Sequence, residues 1–389
     1  MAEEDFEEEI LRDNQEIAED IEEFNPADIV VYSRDWTIET ICSQIKNGNI
    51  DLNPKFQRRN AWTDEKRSKL IESILIGYPI PEIVLAEDPK KKKSFIVIDG
   101  KQRLLTLAGF VEHEAYEYWV KPKLVLLKIR SDLNNVTYND MESEASLSNE
   151  LREFHNASLR CTIITNFKKN DILYDIFYRL NSGSVPLSTQ ELRQVLNRGE
   201  FSNYLVSVTD TKQPLHSVLN LEGPDKRLRD TEILLRLFAF CLYSSSYQGN
   251  LKKFLDEKMA LINDNWAELN RDISQVYISI NKSIEFLKIL FGDYKKIGRK
   301  ATADGFESRF NRVLFEVQIF YFSKMEANVI NPENTFVNDF RRLCVGDPEF
   351  RSSIESTTKT IESYKIRYSK FESLINTSFG KEININPFK

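Results

Sequence analysis

Phe95-Ile96-Val97-Ile98-Asp99-Gly100-Lys101-Gln102-Arg103-Leu104 decides how the first half of the chain is read. Four consecutive apolar residues, three of them β-branched, predict a buried strand. Asp99-Gly100 breaks that strand, and Leu104, Leu105, Leu107 and Ala108 begin a helix. Upstream, Pro79 and Pro81 hold the chain extended into Ile83-Val84-Leu85. Asp88-Pro89 and the four lysines Lys90 to Lys93 then join the two apolar runs, so a strand hairpin is expected. A strand that runs straight into a helix gathers free backbone N–H groups and the positive helix end at one point, where an anion can sit. Arg103, in the first turn, is placed to grip a phosphate with two parallel hydrogen bonds. Asp99 is placed to hold Mg²⁺ or to orient a water. The same pattern also describes an ordinary tight turn in which Asp99 caps the helix and Arg103 lies on the surface.

Working outward, Trp36, Ile38, Ile41 and Ile45 predict a helix closed by Asn47-Gly48, followed by extended chain over Ile50 to Pro54. A second helix is predicted over 64–76, started by Thr63 or Asp64 and stopped by Gly77. Leu124 to Leu127 and Cys161 to Ile164 are strand candidates, separated by a polar stretch at 131–150 that reads as a loop. A helix from about 171 ends at Asn181-Ser182-Gly183, and another begins near Pro186-Leu187-Ser188. Past residue 200 the strand signals fade. Segments 230–244, 251–263, 272–291, 306–325 and 352–374 carry apolar residues at helical spacing. The expected fold class is α+β, a mixed α/β domain over 29–200 followed by an all-helical domain over 201–389.

The chain has 389 residues, 41% hydrophobic and 29% charged, enough for two or three domains without a disulfide or metal to hold them. No apolar run approaches the roughly 18 residues of a membrane span, and the start is acidic rather than basic and apolar. A cytoplasmic protein with no membrane partner is expected. Cys42, Cys161, Cys241 and Cys344 form no CxxC pair, and His113, His155 and His216 are scattered, which argues against zinc chemistry and a histidine-metal nuclease. Net charge is −7, but residues 1–28 hold thirteen acidic residues and one basic residue, Arg12, so the remainder carries a small positive excess. Within that segment Phe6, Ile10, Ile17, Ile21 and Phe24 fall along one helical face. Such a segment either covers a basic groove or serves as a solubilising extension.

Two further groups stand out. In Pro54 to Trp62, Gln57 and Arg58 lie between Phe56 and Trp62, a density of planar donors and rings that suits a nucleotide and equally suits packing. Lys91 and Lys92 at the expected hairpin tip, and Lys296 and Arg299 around Gly298, are candidates for tracking a DNA backbone, or are solvated turns.

Taken together, Pro54-x-Phe56-Gln57-Arg58 with Trp62, Lys69 to Pro81, and Ile98-Asp99-Gly100-Lys101-Gln102-Arg103-Leu104 resemble the N-terminal domain family of the GmrSD-type modification-dependent restriction endonucleases. Phe177 to Gly183, Pro186-Leu187-Ser188-x-Gln190-Glu191-Leu192-Arg193 and Arg229-Asp230 extend the likeness over roughly residues 36–260. The resemblance implies a ParB/sulfiredoxin-like nucleotide-binding fold in which the Asp-Gly-Gln-Gln-Arg box binds and hydrolyses nucleotide. That box maps onto Asp99, Gly100, Lys101, Gln102 and Arg103, with Lys101 in place of the usual glutamine. Asp99, Arg103, Gln57 and Arg58 are then the expected catalytic residues, with Asp99 also a metal ligand. Gly100, Lys101, Gln102, Trp62 and Asn181 would hold the nucleotide.

The cofactor implied is a nucleoside triphosphate with Mg²⁺. Family members that cut DNA carry a separate or fused histidine-containing nuclease domain, for which this sequence has no matching histidines, so either another chain supplies the cleavage or the helical domain supplies a different output. The expected partners are DNA, that separate nuclease or effector, and a second copy of the chain. The competing readings are a non-enzymatic DNA-binding or regulatory adaptor with a vestigial nucleotide site, and a nuclease using Asp99 and Asp51 for Mg²⁺.

Overall fold

The computed structural model describes residues 29–52, 62–89, 91–112, 114, 119, 121–167, 171–180, 188–225, 227–325, 335–356, 358–380, 385, 387 and 388. The expectations for the acidic segment 1–28 and for Gln57, Arg58 and Asn181 lie outside them. Two compact units are present, Met1–Leu196 and Asn197–Lys389.

The N-terminal unit runs β1 (Val30–Thr37), α1 (Ile38–Lys46), β2 (Ile50–Asp51), α2 (Asp64–Leu75), β3 (Ile83–Glu87), β4 (Phe95–Asp99), α3 (Lys101–Val111), α4 (Tyr138–Ser143), α5 (Ser148–Asn156), β5 (Ser158–Thr165), α6 (Asp171–Leu180) and α7 (Thr189–Leu196). Its five strands form one mixed sheet in the order β1-β5-β3-β4-β2. β3 and β4 make the antiparallel hairpin, with a register shift between Val84 and Leu85. β3 also lies parallel to β5, and β2 parallel to β4. Alternation along the central strands sends Ile83, Leu85, Val97, Cys161 and Ile163 to one face, against Ile38, Ile41, Ile71, Leu104 and Leu107. Val84, Ala86, Ile96, Ile98 and Ile164 go to the other face, under Leu173, Tyr174 and Phe177 of α6 and Leu192 and Val195 of α7. Helices thus cover both faces, and each buried aliphatic side chain stabilises the layers by about 1.5–3 kcal/mol.

Local signals account for the boundaries. The hydroxyl of Thr37 accepts from Thr40 N–H and that of Thr63 from Lys66 N–H, satisfying first-turn donors of α1 and α2. Gly48 and Gly77 take positive φ where those helices stop.

Four differences from the sequence expectations have physical causes. Trp36 belongs to β1, an edge strand whose register with β5 runs from Val30↔Thr165 to Thr37↔Ser158, so its pairing is invisible to local periodicity. Leu124–Leu127 is not a strand: Leu124 N–H reaches the Val136 carbonyl, but Val125 N–H goes to Ser68 Oγ of α2 and Leu127 N–H to Asn134 Oδ1, so no ladder continues. The polar stretch 131–150 is largely helical, with a reciprocal Thr137–Asp140 cap starting α4. The predicted helix at 352–374 is two, α15 (Pro348–Glu355) and α16 (Ile361–Phe379), divided after Ser356.

The C-terminal unit is helical: α8 (Glu200–Thr209), α9 (Pro214–Val218), α10 (Arg229–Tyr243), α11 (Leu251–Asp264), α12 (Trp266–Phe291), α13 (Arg312–Phe322) and α14 (Phe336–Gly346) precede α15 and α16. α8, α9 and α14 were not expected from the sequence. Ten consecutive residues of α13, Val313–Phe322, are buried, as an all-round apolar helix requires. Its one carboxylate, Glu316, pairs with Arg236 of α10. No helix among the described residues is long and apolar enough to cross a membrane.

Candidate functional site

Asp99 ends β4 opposite Val84, and α3 begins two residues later. Gly100 makes the turn with φ +91°. A Cβ there would stand 2.5 Å from Ile83 Cδ1 and 3.1 Å from Arg103 Nη2, so any other residue is strained at this φ and displaces a neighbouring side chain. Gly100 is also the N-cap, and among the described residues no side chain caps the helix; the alternative in which Asp99 does so is not what forms. The Asp99 carboxylate instead receives Arg103 Nη2–H at 2.9 Å, one turn on. The same Nη2 donates to the Glu82 carbonyl at 2.9 Å. The Glu82 carboxylate accepts from the Thr162 hydroxyl at 2.7 Å, which in turn lies 3.2 Å from the Ser33 hydroxyl, tying the arginine's anchor to the sheet edge. Arg103 is therefore drawn in beside the glycine, not loose on the surface. Its Nε and the Gln102 Oε1 are buried without a hydrogen-bond partner among the described residues.

Lys101 is the first residue of α3 and is 9% exposed. Burial pushes its ammonium below the ordinary lysine value, against the opposing pull of the Glu191 and Asp51 carboxylates. Glu191 stands in the first turn of α7, where Ser188 N–H donates to its Oε2 at 2.6 Å and its own N–H donates to Ser188 Oγ at 3.1 Å, a reciprocal cap. Thus β2, the β4–α3 junction and α7, far apart in sequence, contribute Asp51, Lys101 and Glu191 to one charged neighbourhood. Arg193, 1% exposed, donates to Gln190 Oε1 at 2.7 Å on the same helix.

The comparison with protein families matches residues 38–196 to "GmrSD restriction endonuclease, N-terminal domain". Residues 38–196 form a GmrSD N-terminal domain. Neither the curated proteins nor the solved structures contain a match to the chain. The matched span runs from the first residue of α1 to the last of α7, so every element around Gly100 except β1 belongs to the GmrSD domain.

The other expected residues are placed as follows. Trp62 of the GmrSD domain packs partly buried on the core face that holds Ile71 and Leu104, with Lys66 Nζ 5.4 Å from its ring centroid. Lys91 Nζ donates to the Gly48 carbonyl at 2.8 Å, and Lys92 is exposed beside it. In the C-terminal unit the basic group around Gly298 is taken apart. Arg299 is 5% exposed, donates to the Val218 and Ile297 carbonyls, and stacks 5.0 Å from the Phe310 centroid. That placement corrects its expected role at a DNA backbone, because the interior hydrogen bonds hold it inward. Lys296 lies over Phe306 at 5.7 Å, and Lys300 is paired with Glu307 and Glu355.

Among the described residues no three His, Cys, Asp or Glu side chains cluster to hold a metal. Sequence reasoning missed Glu82 and Thr162. Glu82 offers a backbone carbonyl, which has no side-chain signature, and Thr162 is an unremarkable strand residue.

Proposed function

We propose that this chain binds and hydrolyses a nucleoside triphosphate as the nucleotide-using part of a cytoplasmic, DNA-targeting restriction or anti-phage defence system, with DNA cleavage supplied by a separate nuclease chain. The supporting observation is the β4–α3 junction: an uncapped helix start at a left-handed glycine, with an inward-held guanidinium whose Nε lacks a partner. An uncapped start directs N–H groups of the first turn outward, and a phosphate oxygen is their natural acceptor. Arg103 adds charge-assisted bonds from a side chain already oriented by Asp99 and Glu82, so little entropy is lost on binding. The matched GmrSD domain supplies the restriction-system context, and we place it in the ParB/sulfiredoxin-like class.

A single carboxylate, Asp99, suits a Mg²⁺ that arrives with the phosphates and keeps several waters. Asp99 would hold that ion, which supplies charge neutralisation on the phosphates, while Gln102, with its buried Oε1 unpaired, orients a reacting water. Lys101 sits beside Glu191 and Asp51, so its charge acts on the phosphates at longer range than that of Arg103.

The test is hydrolysis of ATP, GTP, CTP and UTP with Mg²⁺, with and without plain and modified DNA, by wild type and Arg103→Ala. A wild-type rate that falls about 10²- to 10³-fold in the variant is expected from losing one preorganised charge-stabilising group. Absence of both binding and hydrolysis of all four nucleotides by wild type would refute the reading and leave a non-enzymatic adaptor.

A further inference from the structure

The GmrSD domain carries a second built feature, remote in sequence from the Gly100 junction. Between Lys121 and Arg130 the chain reads Lys-Pro-Lys-Leu-Val-Leu-Leu-Lys-Ile-Arg, four basic residues and no acidic one. Leu124 and Leu127 are buried anchors at 0% and 4% exposure, while Leu126 and Ile129 stand 64% and 58% exposed. Leu126 has φ +56°, a left-handed conformation that leucine avoids.

The surrounding hydrogen bonds enforce it. Val125 N–H donates to Ser68 Oγ at 3.0 Å, and Leu127 N–H to Asn134 Oδ1 at 2.9 Å, with Asn134 Nδ2 returning to the Leu127 carbonyl. Ile129 and Arg130 N–H groups both donate to Oε1 of the buried Glu72 at 2.9 and 2.8 Å. Strained backbone persists only where its surroundings over-determine it, and such sites mark function. Here the product is two apolar side chains held out in water.

The charges around them select the partner. Lys121 and Lys128 are exposed, and Lys123 reaches Asn135 Oδ1 at 3.3 Å; Arg130 is occupied by Asp132 and Glu150. Rigid aliphatic projections flanked by lysines are the equipment of proteins that push an apolar wedge between base steps while gripping the phosphates on either side. We infer that the 121–130 loop is a duplex-DNA contact in which Leu126 and Ile129 unstack a base step and Lys121, Lys123 and Lys128 hold the flanking backbone. This rests on the reading of DNA as the partner.

The experiment measures binding of the full chain to duplexes carrying 2-aminopurine, whose fluorescence rises on unstacking, across a salt series. Leu126→Asn/Ile129→Asn keeps a residue that tolerates the left-handed backbone at 126 and removes both projections. It is expected to bind about tenfold or more weakly and to lose the fluorescence rise, with the salt slope kept. Lys121→Ala/Lys123→Ala/Lys128→Ala is expected to lower the slope of log K against log salt by about 2.7, at about 0.9 per phosphate contact. If wild type binds DNA and the Asn pair matches it in affinity and fluorescence, the wedge is refuted while the DNA reading stands. If wild type binds no DNA, both fall. Retention of a polyglutamate probe by wild type but not by either variant would assign the loop to an acidic polypeptide and overturn the proposal.

Discussion

Replacing Gly100 with alanine tests the geometry on which the proposed nucleotide site depends. Two costs add. A non-glycine residue at φ +91° loses about 1–2 kcal/mol. The new Cβ would meet Ile83 Cδ1 at 2.5 Å, and overpacking of this kind costs about 1–3 kcal/mol, so Gly100→Ala should destabilise the N-terminal unit by about 2–5 kcal/mol. Ile83→Val removes that one δ-methyl and alone costs about 0.5–1.5 kcal/mol. The double variant should therefore be less destabilised than the sum, by about 1–3 kcal/mol, leaving the backbone strain and the 3.1 Å approach to Arg103 Nη2. Of the four tryptophans, Trp36, Trp62 and Trp119 lie in the N-terminal unit, so urea unfolding followed by fluorescence in a Trp266→Phe background reports that unit alone. Additive losses within about 0.5 kcal/mol would refute the argument that the glycine is required by the close approach of Ile83.

In the C-terminal unit, His216 and Asp230 are both fully buried, with Nε2–H donating to Asp230 Oδ2 at 2.9 Å while Nδ1 accepts from Gln213 N–H. His216→Ala should cost about 3–5 kcal/mol, read from Trp266 fluorescence on heating with Trp36, Trp62 and Trp119 replaced by Phe; a loss below about 1 kcal/mol would contradict a structural role for the pair. Burial pushes the thiols of Cys42, Cys161 and Cys344 up to about 12 and that of Cys241 to about 11, so native protein should resist iodoacetamide at pH 8 and label fully in urea. These thiols stay protonated in the fold while the unfolded chain loses those protons from about pH 8.5, so it binds fewer protons and stability should fall as pH rises from there toward 11. Rapid native labelling of Cys161 and Cys344, the two buried thiols, would refute the prediction.

Much of the framework around the candidate site is local chemistry and was legible in the residues. The β3–β4 hairpin, the break at Asp99-Gly100, the Thr63 start of α2 and the Gly77 stop each depend on a few neighbouring side chains and on which φ they tolerate. A strand with a breaker and a helix behind it announces a strand–turn–helix junction without knowledge of the rest of the chain. The identity of the matched domain was legible as well, because its ordered motifs are runs of adjacent residues.

Everything that depends on a distant partner was decided by the tertiary structure. Trp36 reads as part of a helix until the chain returns 123 residues later and Leu159 pairs with it. Leu124–Leu127 reads as a strand until Ser68 and Asn134 take the N–H groups a ladder would have used, with Glu72 taking those just beyond. Lys101 reads as a free phosphate ligand, and Arg299 as a basic surface residue, until packing encloses the first beside Asp51 and Glu191 and ties the second to interior carbonyls. Periodicity and turn chemistry report what a residue prefers among its neighbours. Burial, pairing and charge state depend on which remote groups arrive beside it, and only the folded chain supplies those.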